Sequence, residues 1–294
     1  MKELQELAAK LLRDQNVQVV IGYEDGPAGV RPAFITDAND AARLIFDPRC
    51  VHNLATYLKP QRKHIAKLGK IAIVVKGCDA RAVAGLIREQ QITRENVIVI
   101  AVRCGGVLEK APAKAAKKVE LTEENVSVRC AGCEAREPKL YDYIVGELPT
   151  EPPVSSQRAG EIAQLEKMST AERRKFWDEQ FSRCIRCDAC REVCPMCFCL
   201  QCVALRAQPQ WIDSSPTPAA NRAWQTMRML HQAGRCVGCL ECERACPKEI
   251  PLGLLTRYVA GVVDQRFGYK PCDDPSVPAP MGEIKTDDEE EFIR

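Results

Sequence analysis

Ile71-Ala72-Ile73-Val74-Val75-Lys76-Gly77-Cys78 and Val97-Ile98-Val99-Ile100-Ala101-Val102-Arg103-Cys104 flank a helical pattern at Ala80–Glu89, and this unit sets the architecture of the first half. Each apolar run has the length and β-branched content of a strand buried on both faces. Strand, helix, strand is a βαβ crossover, which makes parallel sheet with helices packed on it and puts binding sites at the carboxyl ends of the strands. Working outward, Leu4–Leu12 reads as a helix, Val17–Ile21 as a short strand, and Asp40–Phe46 as a helical stretch stopped by Asp47-Pro48. Residues 1–150 are therefore expected to form an α/β domain.

Pro149-Thr150-Glu151-Pro152-Pro153-Val154-Ser155-Ser156 has the composition of a linker, expected over residues 151–168. Ser169 or Thr170 then caps a helix reaching about Phe181, and Ala219–Gln232 and Leu252–Gln265 carry helical apolar spacing. Residues 169–270 make a second, cysteine-rich domain, and residues 271–294 an acidic tail with five consecutive acids, Asp287 to Glu291.

Among 294 residues, Lys plus Arg is 42 and Asp plus Glu is 40, a net charge of +2 spread along the chain. That balance lacks the concentrated basic surface that nucleic acid requires. No run approaches the 18 or so apolar residues of a membrane span, so a membrane link would come through partners. Sulfur stands out, with 17 cysteines against 3 histidines. Five cysteines lie in the first half, eleven between Cys184 and Cys246, and Cys272 stands apart. The opening residues carry acids and no apolar signal segment, so the protein is expected in the cytoplasm, where thiols stay reduced and serve as metal ligands rather than disulfides.

Cys184-x2-Cys187-x2-Cys190-x3-Cys194-Pro195 is repeated with identical spacing as Cys236-x2-Cys239-x2-Cys242-x3-Cys246-Pro247. In two-cluster ferredoxins the first three thiolates of such a run hold one iron–sulfur cube and the fourth, before Pro, holds the other. The spacing thus assigns one [4Fe–4S] cluster to Cys184, Cys187, Cys190 and Cys246, and a second to Cys236, Cys239, Cys242 and Cys194. A pair of zinc sites would explain neither the third cysteine nor the Cys-Pro. Cys197, Cys199 and Cys202 exceed what two cubes require; they pack as small apolar residues, serve as alternative ligands, or help hold another cluster.

The 42-residue interval from Cys194 to Cys236, together with the stretch Met229–Gly238 that leads into Cys239, resembles the helical two-cluster ferredoxin modules of heterodisulfide reductase and succinate dehydrogenase iron–sulfur subunits. The likeness spans about residues 170–267 and implies an all-α module.

In the first half, Cys78 and Cys104 each follow a strand directly; neighbouring parallel strands, about 5 Å apart, would bring both thiols to one sheet edge. Cys130-x2-Cys133 follows the alternation Val126-Ser127-Val128. Cys78, Cys104, Cys130 and Cys133 are accordingly candidate ligands of a third Fe–S cluster, with an all-cysteine zinc site or core packing as alternatives. Ile21-Gly22-Tyr23, Arg31-Pro32-Ala33-Phe34, Lys76-Gly77-Cys78-Asp79 and Val102-Arg103-Cys104-Gly105-Gly106 resemble the beta-subunit family of deazaflavin-coenzyme-reducing hydrogenases and formate dehydrogenases. That resemblance, over about residues 15–150, implies a flavin (FAD) beside an Fe–S cluster. Gly105 and Gly106 are the candidate cofactor-approach residues, although a tight turn explains them equally and the chain has neither Gly-x-Gly-x-x-Gly nor a P-loop.

No nucleophile motif accompanies His52, His64 or His231, which read as solvated or satisfied side chains, and no catalytic residue is assigned. Lys110, Lys114, Lys117 and Lys118 read as a solvated face, and Asp79 as a helix cap. The sequence therefore describes an iron–sulfur electron-transfer subunit whose expected partners, implied by the resemblances, are a heterodisulfide-reductase-type flavoprotein, a formate dehydrogenase or a hydrogenase. The alternative is a flavin-bearing subunit that itself oxidises or reduces a nicotinamide or deazaflavin coenzyme.

Overall fold

The computed structural model describes residues 1–110, 119–131, 133–148, 160–282 and 286. The first half runs α1 (Lys2–Arg13), β1 (Val19–Gly26), β2 (Gly29–Ile35), α2 (Lys63–Ala66), β3 (Ile71–Val75), α3 (Gly77–Arg88), β4 (Val97–Val102) and β5 (Tyr143–Val145). The strands form one sheet in the order β2-β1-β3-β4-β5. Every neighbouring pair is parallel except the β1–β2 hairpin. The expected crossover is thus present, with Ile73 opposite Val99 and Val75 opposite Ala101.

Strand alternation sorts β3 between two cores. Ile71, Ile73 and Val75 pack with Val83 and Leu86 of α3, while Ala72 and Val74 pack with Leu4, Ala8 and Leu11 of α1. The expected strand at Val17–Ile21 begins at Val19 and continues to Gly26. The helical stretch expected at Asp40–Phe46 is a 3-10 turn, Ala38–Arg43, capped by Asp37 accepting from Asn39 N at 2.8 Å. β2 holds Pro32, which an edge strand tolerates because one row of its backbone groups needs no partner.

Among the described residues the second half has helices and no strand: α4 (Glu161–Lys167), α5 (Thr170–Ser182), α6 (Ala189–Glu192), α7 (Pro218–Gln232), α8 (Glu241–Arg244) and α9 (Leu252–Phe267). Ser169 starts α5 through a capping box in which it accepts from Glu172 N and Glu172 accepts from Ser169 N. α7 opens with Thr217 as cap and Pro218 in the first turn. Residues 149–159, where the boundary was expected, and the acids Asp287–Glu291 lie outside the described residues, as do Lys114, Lys117 and Lys118. The remainder of the expected linker, Glu161–Lys167, is helix, with Leu165 buried.

The halves share a core. Cys194, Met196, Phe198, Val237 and Cys239 join the cluster of β3 and α3. Met196 approaches so closely that a Cβ on Gly85 of α3 would lie 2.8 Å from its methyl carbon. Lys59 Nζ donates to Glu192 O (2.9 Å) and Cys194 O (3.1 Å), and Arg235 pairs with both carboxylate oxygens of Glu89 at 2.6 and 2.9 Å.

Candidate metal centres

The repeated cysteine motif is repeated as backbone. Positive φ occurs two and four residues after the first cysteine of each copy, at Arg186 (+55°) and Asp188 (+56°), and at Gly238 (+69°) and Leu240 (+52°). For an L-residue this conformation costs about 1–2 kcal/mol, and such strain persists where the surroundings over-determine it, typically at functional sites. The turn has a visible result: Arg186 N donates to Cys184 Sγ at 3.5 Å, and Gly238 N and Glu241 N donate to the sulfurs of Cys236 and Cys239. The short helices α6 and α8 follow and carry the third cysteines, Cys190 and Cys242.

The first expected set, Cys184, Cys187, Cys190 and Cys246, lines one small cavity with Trp224 and Pro247. Cys190 is buried and Cys187 exposed. Burial pushes Cys190 up to about 11, with Arg228 pulling the other way. The second set also converges, since Cys194 lies within electrostatic reach of Cys236, Cys239 and Cys242. Burial pushes Cys242 up to about 12, again against Arg228. Buried thiols that resist ionisation are stable as thiolates only beside positive charge, which is what bound iron supplies.

Arg228 stands between the two sets. It is 3% exposed and donates to Cys190 O at 3.2 Å. Among the described residues its Nε and Nη1 have no hydrogen-bond partner. Burial works against its charge, but Cys242, Cys194 and Cys190 raise its pKa well above the ordinary arginine value. A guanidinium with two unpartnered nitrogens, within electrostatic reach of thiols of both sets, is suited to an anionic cluster, whose sulfurs accept hydrogen bonds.

At the sheet edge, Cys78 lies in the first turn of α3 and Cys104 two residues beyond β4. Cys130 closes a 3-10 turn, Val128–Cys130, and Cys133 follows. All four line one cavity of about 320 Å³, completed from the other half by Val237 and Gly238. The loop carrying Cys133 is pressed onto α3 so tightly that a Cβ on Gly77 would sit 1.5 Å from Ala135 O. Arg136 O also accepts from Cys104 N at 2.9 Å. Val107 N donates to Cys130 Sγ at 3.4 Å, and Gly106 N to Cys104 Sγ. The wall holds Lys76, Arg81, Arg129, Arg136, Arg257 and Lys270 against the single acid Glu134. The Nε atoms of Arg81 and Arg129 are buried without a hydrogen-bond partner among the described residues. A cationic wall around four thiols fits an anionic Fe–S cluster. Among the described residues no three His, Cys, Asp or Glu side chains close around a single ion; the thiols surround cavities instead.

Beneath this cavity is a buried polar network that the sequence reading missed. Lys76, 1% exposed, donates to Tyr23 Oη (2.8 Å), Asp79 Oδ2 (2.9 Å) and His52 O. Asp79 therefore pairs with Lys76 rather than capping α3. Burial works against the Lys76 charge, yet Asp79 and Cys78 hold its pKa above the ordinary lysine value. The network crosses to the second half through Arg244 and His52 Nδ1, 3.0 Å apart, and through Arg129, which donates to Val51 O (2.6 Å) and to Cys239 O. His52, expected to be solvated or satisfied, is half-buried and partnered by Arg244, and burial with Arg244 pushes its pKa down to about 4; His64 and His231 are exposed. The sequence signal for this network was Lys76 itself, a charge directly after a fully buried strand.

Gly105 and Gly106 border a larger cavity of about 690 Å³ at the carboxyl ends of β4 and β5. Gly106, at φ +118°, lines both cavities. Leu4, Phe46, Val102 and Val126 give the larger one an apolar wall. Its described ionic lining is Arg103 against Glu3, Asp47, Glu120, Glu123 and Glu147, which suits a flavin ring but not a pyrophosphate. Cys50 is buried in the α/β core and Cys272 lies beside Arg88, and neither lines the cavities of Cys78 and Cys184.

No family model matches the chain. It is 24% identical over 326 aligned residues to the F420-dependent formate dehydrogenase subunit beta of Methanocaldococcus jannaschii, covering 84% of each chain. It is 26% identical over 333 residues to the F420-dependent formate dehydrogenase 1 subunit beta of Methanococcus maripaludis, covering 85% of this chain and 84% of the relative. With that coverage the likeness extends beyond residues 15–150, and the chain as a whole is similar to beta subunits of F420-dependent formate dehydrogenases.

Proposed function

We propose that the protein is the iron–sulfur electron-transfer subunit of a multi-subunit oxidoreductase, with an α/β domain over residues 1–150 holding a third cluster and a ferredoxin domain over residues 169–270 holding two [4Fe–4S] clusters. One observation carries the reading: Cys78, Cys104, Cys130 and Cys133, from three separate segments of the chain, line one cationic cavity whose wall is completed by Val237-Gly238 of the second repeat. The three sets are therefore consecutive. Cys78 lies within electrostatic reach of Cys239, and Cys242 of Cys190. At the far end Cys187 and Ile185, the latter 52% exposed, face outward where a partner would dock.

Clusters held there supply single-electron transfer, tuned by hydrogen bonds to sulfur and by burial. The chain's residues provide that tuning: backbone N–H groups of Arg186, Gly238 and Val107 point at cysteine sulfurs, and Arg228 and Arg129 place fixed positive charge between neighbouring sets. Reduced thiols of this density are consistent with a cytoplasmic protein, and no described helix is long and apolar enough to cross a membrane. Partners are other redox subunits, by analogy with the relatives' description as dehydrogenase subunits: a formate dehydrogenase or hydrogenase at one terminal and a heterodisulfide-reductase-type flavoprotein at the other.

Iron, sulfide, zinc and flavin content of anaerobically purified protein tests this. About twelve iron without zinc is expected, at four per cube. About eight iron would confine clusters to the second half. Cys187→Ala should abolish electron transfer between partners, and intact turnover would overturn the conduit. The cavity beside Gly106 favours a second reading, in which a flavin bound there reacts with a nicotinamide or deazaflavin coenzyme; stoichiometric flavin would support it.

A further inference from the structure

Cys197, Cys199 and Cys202 are left over once twelve cysteines are assigned, and they are not equivalent. Cys199 is exposed and Cys202 half-buried, whereas the half-buried Cys197 meets the same glutamine side chain as Cys194. The turn Cys194-Pro195-Met196-Cys197, closed by Cys197 N donating to Cys194 O at 3.2 Å, brings the two sulfurs together. The same side chain of α7 reads both: Gln232 Oε1 is 3.7 Å from Cys194 Sγ, and Gln232 Nε2 donates to Cys197 Sγ at 3.4 Å. Arg228 lies within reach of both thiols. The α/β half clamps the turn at each end, with Lys59 Nζ on Cys194 O (3.1 Å) and Gln61 Nε2 on Cys197 O (3.0 Å). Cys197 packs against the apolar core of β3 and α3 and also meets an amide and a guanidinium, beside a proposed ligand thiol.

We propose that Cys197 is an interchangeable ligand for the cluster held by Cys236, Cys239 and Cys242, occupying the same corner as Cys194; the inference rests on the cluster assignment above. In such an exchange Cys194 would give up its bond to iron and Cys197 would take the same corner. The Cys197 proton would pass to the released Cys194 thiolate beside the same Gln232 amide, no electron would move, and the charge of the site would be unchanged.

The test is iron and sulfide content, with electron paramagnetic resonance spectra of the reduced full chain, for Cys194→Ala, Cys197→Ala, the double variant and Cys239→Ala. Wild type and Cys194→Ala are expected to hold about twelve iron, with one cluster's spectrum altered in the variant, while the double variant and Cys239→Ala fall to about eight. A fall to about eight in Cys194→Ala alone, with Cys197→Ala still at about twelve, would overturn the exchange. Should Cys194→Ala not fold, Cys197→Ala is expected to keep its iron and change one cluster's spectrum; an unchanged spectrum overturns the proposal. Wild-type protein with zinc or too little iron would refute the underlying assignment instead.

Discussion

Removing Asp79 isolates a buried charge. The Lys76 and Asp79 side chains are 2% and 0% exposed and bonded at 2.9 Å. In Asp79→Ala the ammonium stays buried with only neutral acceptors, Tyr23 Oη and His52 O. Orphaning one partner of such a pair costs about 3–5 kcal/mol, and the two remaining acceptors place this case near about 3. For a protein of this size about 2 °C accompanies each kcal/mol, so the thermal midpoint should drop by about 6 °C. Lys76→Met with Asp79→Ala removes both charges, and most of the loss should be recovered, giving a coupling of at least about 2 kcal/mol in the double-mutant cycle. The assay is anaerobic thermal unfolding followed by circular dichroism, with iron content measured in parallel. A single variant within about 2 °C of wild type, or a double variant no better than the single, would refute the idea that the buried charge is what matters.

Three further outcomes follow from the site. His52 titrates near 6.5 in the unfolded chain and about 4 when folded, so the unfolded state binds the proton first. Stability is then full above pH 6.5 and falls between pH 6.5 and 4, by about 1–3 kcal/mol; His52→Gln should flatten that limb of the stability–pH curve. Gly77→Ala forces a Cβ into the Ala135 carbonyl, and is expected to displace the Cys133 loop and lose about four iron, read by iron analysis; full iron content would show that the loop yields. Gly238→Ala meets nothing within 4 Å, so only its positive φ is penalised. A loss of about 1 kcal/mol with all clusters retained is expected, since Arg186 already adopts this conformation in the other repeat.

Some of this was readable from local pattern. The crossover of β3, α3 and β4 announced itself because both strands are continuous β-branched runs, a signal independent of what packs on them. β2 escaped because Pro32 and the surrounding glycines look like loop until β1 is present to pair with it. β5, three residues long, has too little pattern to register, and forms because β4 offers an unpaired edge.

The site divides along the same line. The proposed ligand sets of the second half could be read from the chain because the thiols come in a fixed, repeated spacing, and spacing along a chain is a covalent property. Cys78 and Cys104 were placed by strand adjacency alone. What the linear chain does not contain is convergence: that Cys133 reaches Cys78 through the Ala135–Gly77 contact, that Arg228 and Arg129 stand between the sets, and that Lys76 and Asp79 are sealed beneath them. An arginine on a surface and an arginine among buried thiols have the same letter, and only tertiary packing, by removing water, turns the second into a fixed charge beside the proposed clusters.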